Sequence, residues 1–148
     1  MSRAYTFQQS PTTLPPSKFN IPTTKIPLHD LHPYFSFRHY HVDHKKYSAE
    51  RFENKKDFVT FLERLQKISQ FTWKEIFTSH RGVFHAHEVN WDKTAERKGF
   101  SHLQKELQDC PVYQFAIFKE CRILGFFNHH NVFKIVWIDR FHEVYPHA

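Results

Sequence analysis

The chain has 148 residues, one ordinary domain's worth, with 21 Lys plus Arg against 15 Asp plus Glu and a formal net charge of +6. Apolar residues make up 40%, enough for a core, which excludes a wholly disordered chain or a collagen-like repeat, and two cysteines exclude a disulfide-stapled mini-protein. With three glycines and neither GxxxxGK(S/T) nor GxGxxG, nucleotide-cofactor readings lose their basis, and a pI near 9.4 favours an acidic partner, nucleic acid or protein.

Residues 1–33 carry six of the eight prolines, with Ser and Thr dense between them. Such a segment lacks too many N–H donors for a helix interior or a central strand, so it reads as an extended or disordered arm, with Phe19, Ile21, Ile26 and Leu28 as its apolar anchors. No apolar run approaches the roughly 18 residues of a membrane span, and the N-terminus shows no secretory h-region. The expectation is a cytoplasmic protein with one domain over 34–148.

Structure is expected from Tyr34. The run Tyr34 to Tyr40 reads as a strand with Phe35 and Phe37 on one face. Asn54 is placed to cap a helix, with Asp57 three residues on and Phe58, Phe61, Leu62, Leu65 and Ile68 at helical spacing, ending near Gln70. Thr72-Trp73-Lys74-Glu75 has the capping-box pattern and opens a second, shorter helix with Trp73, Ile76 and Phe77 on its apolar stripe. Gly82 is expected to end this pair. Val83 to His87 is a candidate strand, Asn90 to Lys98 a polar loop, and Ser101 the start of a short helix that ends before Pro111.

Tyr113 to Phe118, Arg122 to Phe127 and Val132 to Ile138 are three strand-like runs. Their connections are short enough to force antiparallel neighbours, a three-stranded meander in which Phe133, Ile135 and Trp137 share one face and Lys134 takes the other. The expected class is α+β, an antiparallel sheet with two helices packed on one face.

This order, strand–helix–helix–meander, resembles the RelE/ParE-like toxins of bacterial and phage toxin–antitoxin systems. The likeness is carried chiefly by Arg122-Ile123-Leu124-Gly125-Phe126, the apolar strand Val132 to Asp139, and the closing His142-Glu143-Val144-Tyr145. It implies a compact RNA endonuclease, an mRNA interferase-like hydrolase acting on RNA, in some members on the ribosome. It also implies a protein antitoxin as partner, and an open sheet surface whose basic and aromatic residues grip RNA. A C-terminal Tyr or His often takes part in cleavage in that family.

Cleaving RNA without a metal needs a base near the 2′-hydroxyl, an acid near the leaving oxygen and a cation on the phosphate. Imidazole suits the first two roles and the planar guanidinium the third. The expected catalytic set is Arg122 on phosphate, His142 as base or acid, and Tyr145 as acid or stacking surface. Lys134, Arg140, His129 and His130 are the expected RNA contacts nearby, with Arg38, Lys45 and Lys46 adding a basic, tyrosine-flanked surface from the first half. No cofactor is called for. For each of these residues a solvated strand end, an ordinary turn or a core lid is the competing interpretation.

Two other functions stay open. One is a non-catalytic module that binds protein or nucleic acid. The other is a small metal-dependent hydrolase built on His39-x-His41 and His85-x-His87, which on strands would each present two imidazoles to one side. No HExxH or CxxC accompanies those pairs, and Cys110 and Cys121 read as reduced thiols.

Overall fold

The computed structural model describes residues 30–146. The arm anchors Phe19, Ile21, Ile26 and Leu28 lie outside the described residues. Helix α1 spans Lys55–Ile68. Asn54 is extended, and its side-chain oxygen accepts from the Asp57 N–H at 2.9 Å, satisfying one orphan donor of the first turn. Phe61, Leu65 and Ile68 are buried at i, i+4 and i+7. Phe58 and Leu62, expected on the same stripe, are each 48% exposed, because the helix lies on the sheet through a narrower sector than its apolar pattern spans.

Helix α2 spans Trp73–Phe77 and starts with a complete capping box between Thr72 and Glu75. It buries Trp73, Ile76 and Phe77. Gly82 does not end the helical region. It lies inside a further turn of helix, α3 (Arg81–Phe84), which stops at His85 in the left-handed conformation. That turn consumes most of the expected 83–87 strand.

The strands are β1 (Phe35–Ser36), β2 (His87–Glu88), β3 (Tyr113–Phe118), β4 (Cys121–Phe127) and β5 (Phe133–Asp139). They form one sheet in the order β1-β5-β4-β3-β2. The meander pairs antiparallel as expected, but β1 runs parallel to β5, with Phe35 opposite Phe133, so the sheet is mixed. Strand β1 is far shorter than the Tyr34–Tyr40 run. Its chain turns away when the Arg38 N–H meets Ser36 Oγ and the Tyr40 N–H meets the Phe37 carbonyl. Phe37 is accordingly exposed. Ser101 to Gln104 is not helical, and helix α4 covers only Lys105–Gln108.

A register shift between β4 and β5 decides what each face presents. Leu124 sits opposite Trp137 and Gly125 opposite Ile135, which leaves Val136 as the extra residue of a bulge. The alternation therefore breaks. Phe133 and Ile135 face the helices, while Val136 and Trp137 join the core on the other side, against the expectation that Trp137 shares their face. Gly125 permits this local geometry, because a Cβ there would collide with the Lys134 carbonyl oxygen.

The helix side of the sheet is filled by α1, α2 and α3 against Phe115, Ile123, Phe127 and Phe133. The opposite side is not open. Tyr47, Val89, Phe100, Cys110, Val112 and Val144, from irregular segments and the C-terminal turn, pack on Leu124, Phe126, Val136 and Trp137. No helix among the described residues is long and apolar enough to cross a membrane.

Candidate functional site

The covering on this second face is incomplete at the end where β1, β5 and β4 meet. There a pocket of about 280 Å³ is lined by Arg38, His39, Gln104, Leu107, Phe126, Asn128 and Lys134. The turn after β1 brings Arg38 and His39 to it. Lys134 projects from β5 beside them, on the face opposite its neighbours Phe133 and Ile135. Asn128 comes from the β4–β5 turn, where its side-chain oxygen accepts from the His130 and Val132 N–H groups.

The charge balance of this pocket is one-sided. No carboxylate among the described residues lines it. Among the described residues Lys134 Nζ donates only to Ser36 Oγ, at 3.4 Å, and burial followed by the Arg38 charge depresses the lysine below its ordinary range. Burial first, then Lys134 and Arg38, likewise lower His39 and favour its neutral form. Two cations and a neutral imidazole held together without a counter-charge form a site that an anion would relieve.

Beside it lies a larger hollow of about 630 Å³, lined by His41, His44, His102 and Trp137 on one side and by the Thr94–Gly99 turn on the other. His41 stacks on His102 with ring centroids 4.0 Å apart and meets His44 edge-on at 4.7 Å. The tautomers of two of these rings follow from their partners. Trp137 Nε1–H donates to His41 Nδ1 at 3.2 Å, and the Lys46 and Tyr47 N–H groups donate to His44 Nδ1 at 3.0 and 3.1 Å. Indole and peptide N–H groups can only donate, so Nδ1 is unprotonated in both rings and the proton sits on Nε2. Burial lowers His102 to about 4, with the neighbouring imidazoles acting in the same direction. Across the hollow, Glu96 Oε2 accepts from the Tyr47 hydroxyl at 2.8 Å and pairs with Lys46 at 3.8 Å.

The sequence-derived site residues are dispersed over this framework. Arg122 shares a face with Leu124 and Phe126, and so with Lys134, but it pairs with Asp139 at the far end of β4 while Lys134 pairs with Phe126. Four strand positions, roughly 13 Å, and the covered Leu124–Trp137 pair separate the two cations. Arg122 Nη1 donates to the Lys119 and Cys121 carbonyls, while its buried Nε finds no partner among the described residues. His142 lies in the turn after β5 with left-handed backbone, where the Asp139 carboxylate accepts from the Glu143 and Val144 N–H groups. Tyr145 swings towards β2. Its hydroxyl accepts from the Asn90 N–H at 2.8 Å, and its ring meets His87.

Arg140 is buried, with its guanidinium committed to Asp57 at 2.8 Å and to Glu120 and Glu53 at 3.5 and 3.7 Å. Lys45 is exposed near Glu50. His129 and His130 occupy the exposed β4–β5 turn with their rings 3.9 Å apart, and His129 is lowered first by burial, then by His130 and Lys134. Thus Arg38, Lys134 and His129 gather at one end of the sheet, and Arg122, His142 and Tyr145 do not join them.

The histidine pairs do not form strand ladders. His39 lies in a turn and His41 in irregular backbone after it, and His85 ends α3 while His87 begins β2. Among the described residues no group of three or more His, Cys, Asp or Glu is placed to hold a metal ion. Gln104, Asn128 and the 94–102 turn went unread in the sequence as site components. They have no spacing signature, and only the folding of the covering segments over Trp137 brings them together. Comparisons with protein-family models, curated proteins and solved structures find no match to the chain.

Proposed function

We propose that the protein is a toxin-like RNA endonuclease of RelE/ParE-like architecture, with the Arg38–His39–Lys134 pocket as its cleavage centre. The observation that carries this reading is the convergence of two uncompensated cations and a neutral imidazole in one pocket on the sheet face turned away from α1 and α2. Phosphodiester cleavage at that pocket uses His39 to take the proton from the ribose 2′-hydroxyl. The 2′-oxygen then attacks phosphorus, the P–O5′ bond breaks, and Lys134 gives a proton to the departing 5′-oxygen. Arg38 holds the non-bridging oxygens through its planar fork. The products are a 2′,3′-cyclic phosphate and a 5′-hydroxyl. The depressed Lys134 is a better proton donor than an ordinary lysine, and the lowered His39 is free to accept.

Arg122, with His142 and Tyr145, is the second candidate centre for the same reaction, favoured by the unpartnered Arg122 Nε. A protein antitoxin is the proposed partner. Supporting it, the outer side of α1 leaves Phe58, Val59 and Leu62 exposed beside Lys55 and Lys56, a surface suited to an acidic amphipathic segment.

Purified protein and a defined RNA, in buffer with EDTA, test this directly. Cyclic-phosphate and 5′-hydroxyl ends are expected. His39→Ala and Arg38→Ala should each slow cleavage by about 10²-fold or more with the thermal transition intact. If those variants cut at the wild-type rate while Arg122→Ala or His142→Ala does not, the centre lies at the β5 end. RNA that is retained but never cut makes the protein a binding module instead.

A further inference from the structure

We propose that the hollow between Trp137 and the 94–102 turn is a nucleobase subsite that selects guanine. The proposal rests on the RNA-directed reading above and names the specificity of the surface beside its cleavage pocket.

The walls of the hollow are flat rings. His102 lies nearly parallel to Trp137, at 13°, and carries His41 on its face. Trp137 is buried beneath other aromatic rings, so the surface offered to a planar heterocycle for stacking is the exposed His102 ring, with His41 behind it. The space, about 630 Å³, lies within the range of sites for small ligands and exceeds what one base needs.

Stacking alone would take any base. The polar atoms supply the selection. His41 and His44 have their protons fixed on Nε2 by the Trp137 indole and by the Lys46 and Tyr47 amides, so in the neutral state both Nε2 atoms are donors; that of His41 lies 3.9 Å from Asp43 Oδ1, which leaves His44 as the imidazole donor available to a ligand. Glu96 is the carboxylate among the residues that line the hollow. Its Oε2 is anchored by Tyr47 and Lys46, while its Oε1 has no hydrogen-bond partner among the described residues. A carboxylate beside an imidazole donor matches an edge with two adjacent N–H donors followed by an acceptor. Guanine presents that order with its N2 amino group, N1–H and O6. Adenine turns a lone pair at N1 towards the carboxylate, and each pyrimidine lacks the adjacent pair of donors and the second ring.

The turn that carries Glu96 is rigid by construction. Thr94 Oγ1 donates to the Trp91 carbonyl and accepts from the Glu96 N–H. Gly99 is left-handed, and a Cβ there would fall 2.8 Å from the Trp91 indole. The carboxylate is therefore held in place before any ligand arrives, as discrimination by hydrogen bonds requires.

The test is calorimetric titration of the full chain with 3′-GMP, 3′-AMP, 3′-CMP and 3′-UMP, with NMR following the His41 and His102 ring protons. The expected result is binding of 3′-GMP about tenfold or more tighter than the other three. Glu96→Gln should erase the preference, and 3′-GMP should shift both ring signals. Should Glu96→Gln fail to fold, the ring shifts in the wild-type chain decide the question. Equal affinity for the four nucleotides, or ring signals that stay still on 3′-GMP addition, overturns the proposal. RNA cleavage is measured separately. Cutting without guanine preference removes the subsite and leaves the endonuclease, whereas guanine binding without cutting removes the endonuclease and leaves the subsite.

Discussion

The two faces of the sheet are covered in different ways. On one, three helices lay regular apolar stripes over the strands, and Trp73 meets the rings of Phe35, Phe115, Phe127 and Phe133 with centroids 4.9 to 6.0 Å away. On the other, turns and loops do the covering. They seal the centre around Trp137 and leave hollows on its flanks, lined by imidazoles, Arg38 and Lys134. Regular elements bring apolar side chains at a fixed period and close a surface evenly. Irregular segments must satisfy their own backbone groups first, and the polar side chains that do so are the ones left facing the gaps. His44 is an instance, since its ring caps the Lys46 and Tyr47 amides while its other nitrogen serves the hollow.

The contrast can be broken most forcefully at Trp73. Trp73→Ala should cost about 3–5 kcal/mol in denaturant unfolding, because the indole is fully buried and its neighbours are held by four strands and a helix. His102→Ala, on the exposed rim of the other face, should cost less than about 1 kcal/mol. Similar losses at the two positions would show that the loop-covered face bears as much of the fold as the helical one.

A smaller effect is expected where α1 is tied to the end of β5. Arg140 reaches from the end of β5 to Asp57 in the first turn of α1, with Phe118 and Phe141 against its guanidinium. Removing one member of a buried pair leaves the other charge poorly compensated. Asp57→Ala should therefore lower stability by about 3 kcal/mol, and a chemical-denaturation midpoint close to wild type would show that Glu53 and Glu120 suffice for Arg140.

The smallest effect sharpens the comparison through pH. His39, His44 and His102 all sit below their ordinary value of 6.5, mainly through burial, with Lys134 and Arg38 around His39, and His41, Glu96, Lys46 and Asp43 around His44. Between the native and unfolded pKa values the unfolded chain binds more protons, so stability rises with pH there. The contribution is complete above 6.5 and is lost as pH falls through 6.5 towards about 4, the value for His102. Thermal unfolding at pH 7.5, 6 and 5 should show the transition falling by a few degrees, and His102→Asn should flatten the slope. A transition that climbs on acidification would contradict the assignment of neutral rings.

The sequence disclosed the helix-covered face better than its counterpart. Asn54 with Asp57, and Thr72 with Glu75, mark helix starts by local hydrogen bonds alone, and both appear as read. The meander was legible because its turns are too short for anything but antiparallel return. The bulge at Val136 was not, since nothing in an alternating run announces one extra residue, and it moved Trp137 to the other side. The candidate site was legible only in fragments. Arg38 and Lys134 stood out as basic residues, but their meeting depends on β1 lying beside β5, a pairing between residues roughly 100 positions apart. Arg140 looked like a free cation because Asp57, its partner in α1, is equally remote along the chain.

That remote pairing bears on how the polypeptide is made. Strand β1 leaves the ribosome well before its neighbour Phe133–Lys134, which follows it by roughly 100 residues. Until then the sheet lacks its inner strand, the helices have only part of a surface to rest on, and Arg38 has no Lys134 to stand against. Folding should therefore be late and all-or-none, with closure of the long intervening loop as its slow step. The pocket would come into being only after β5 has been synthesised.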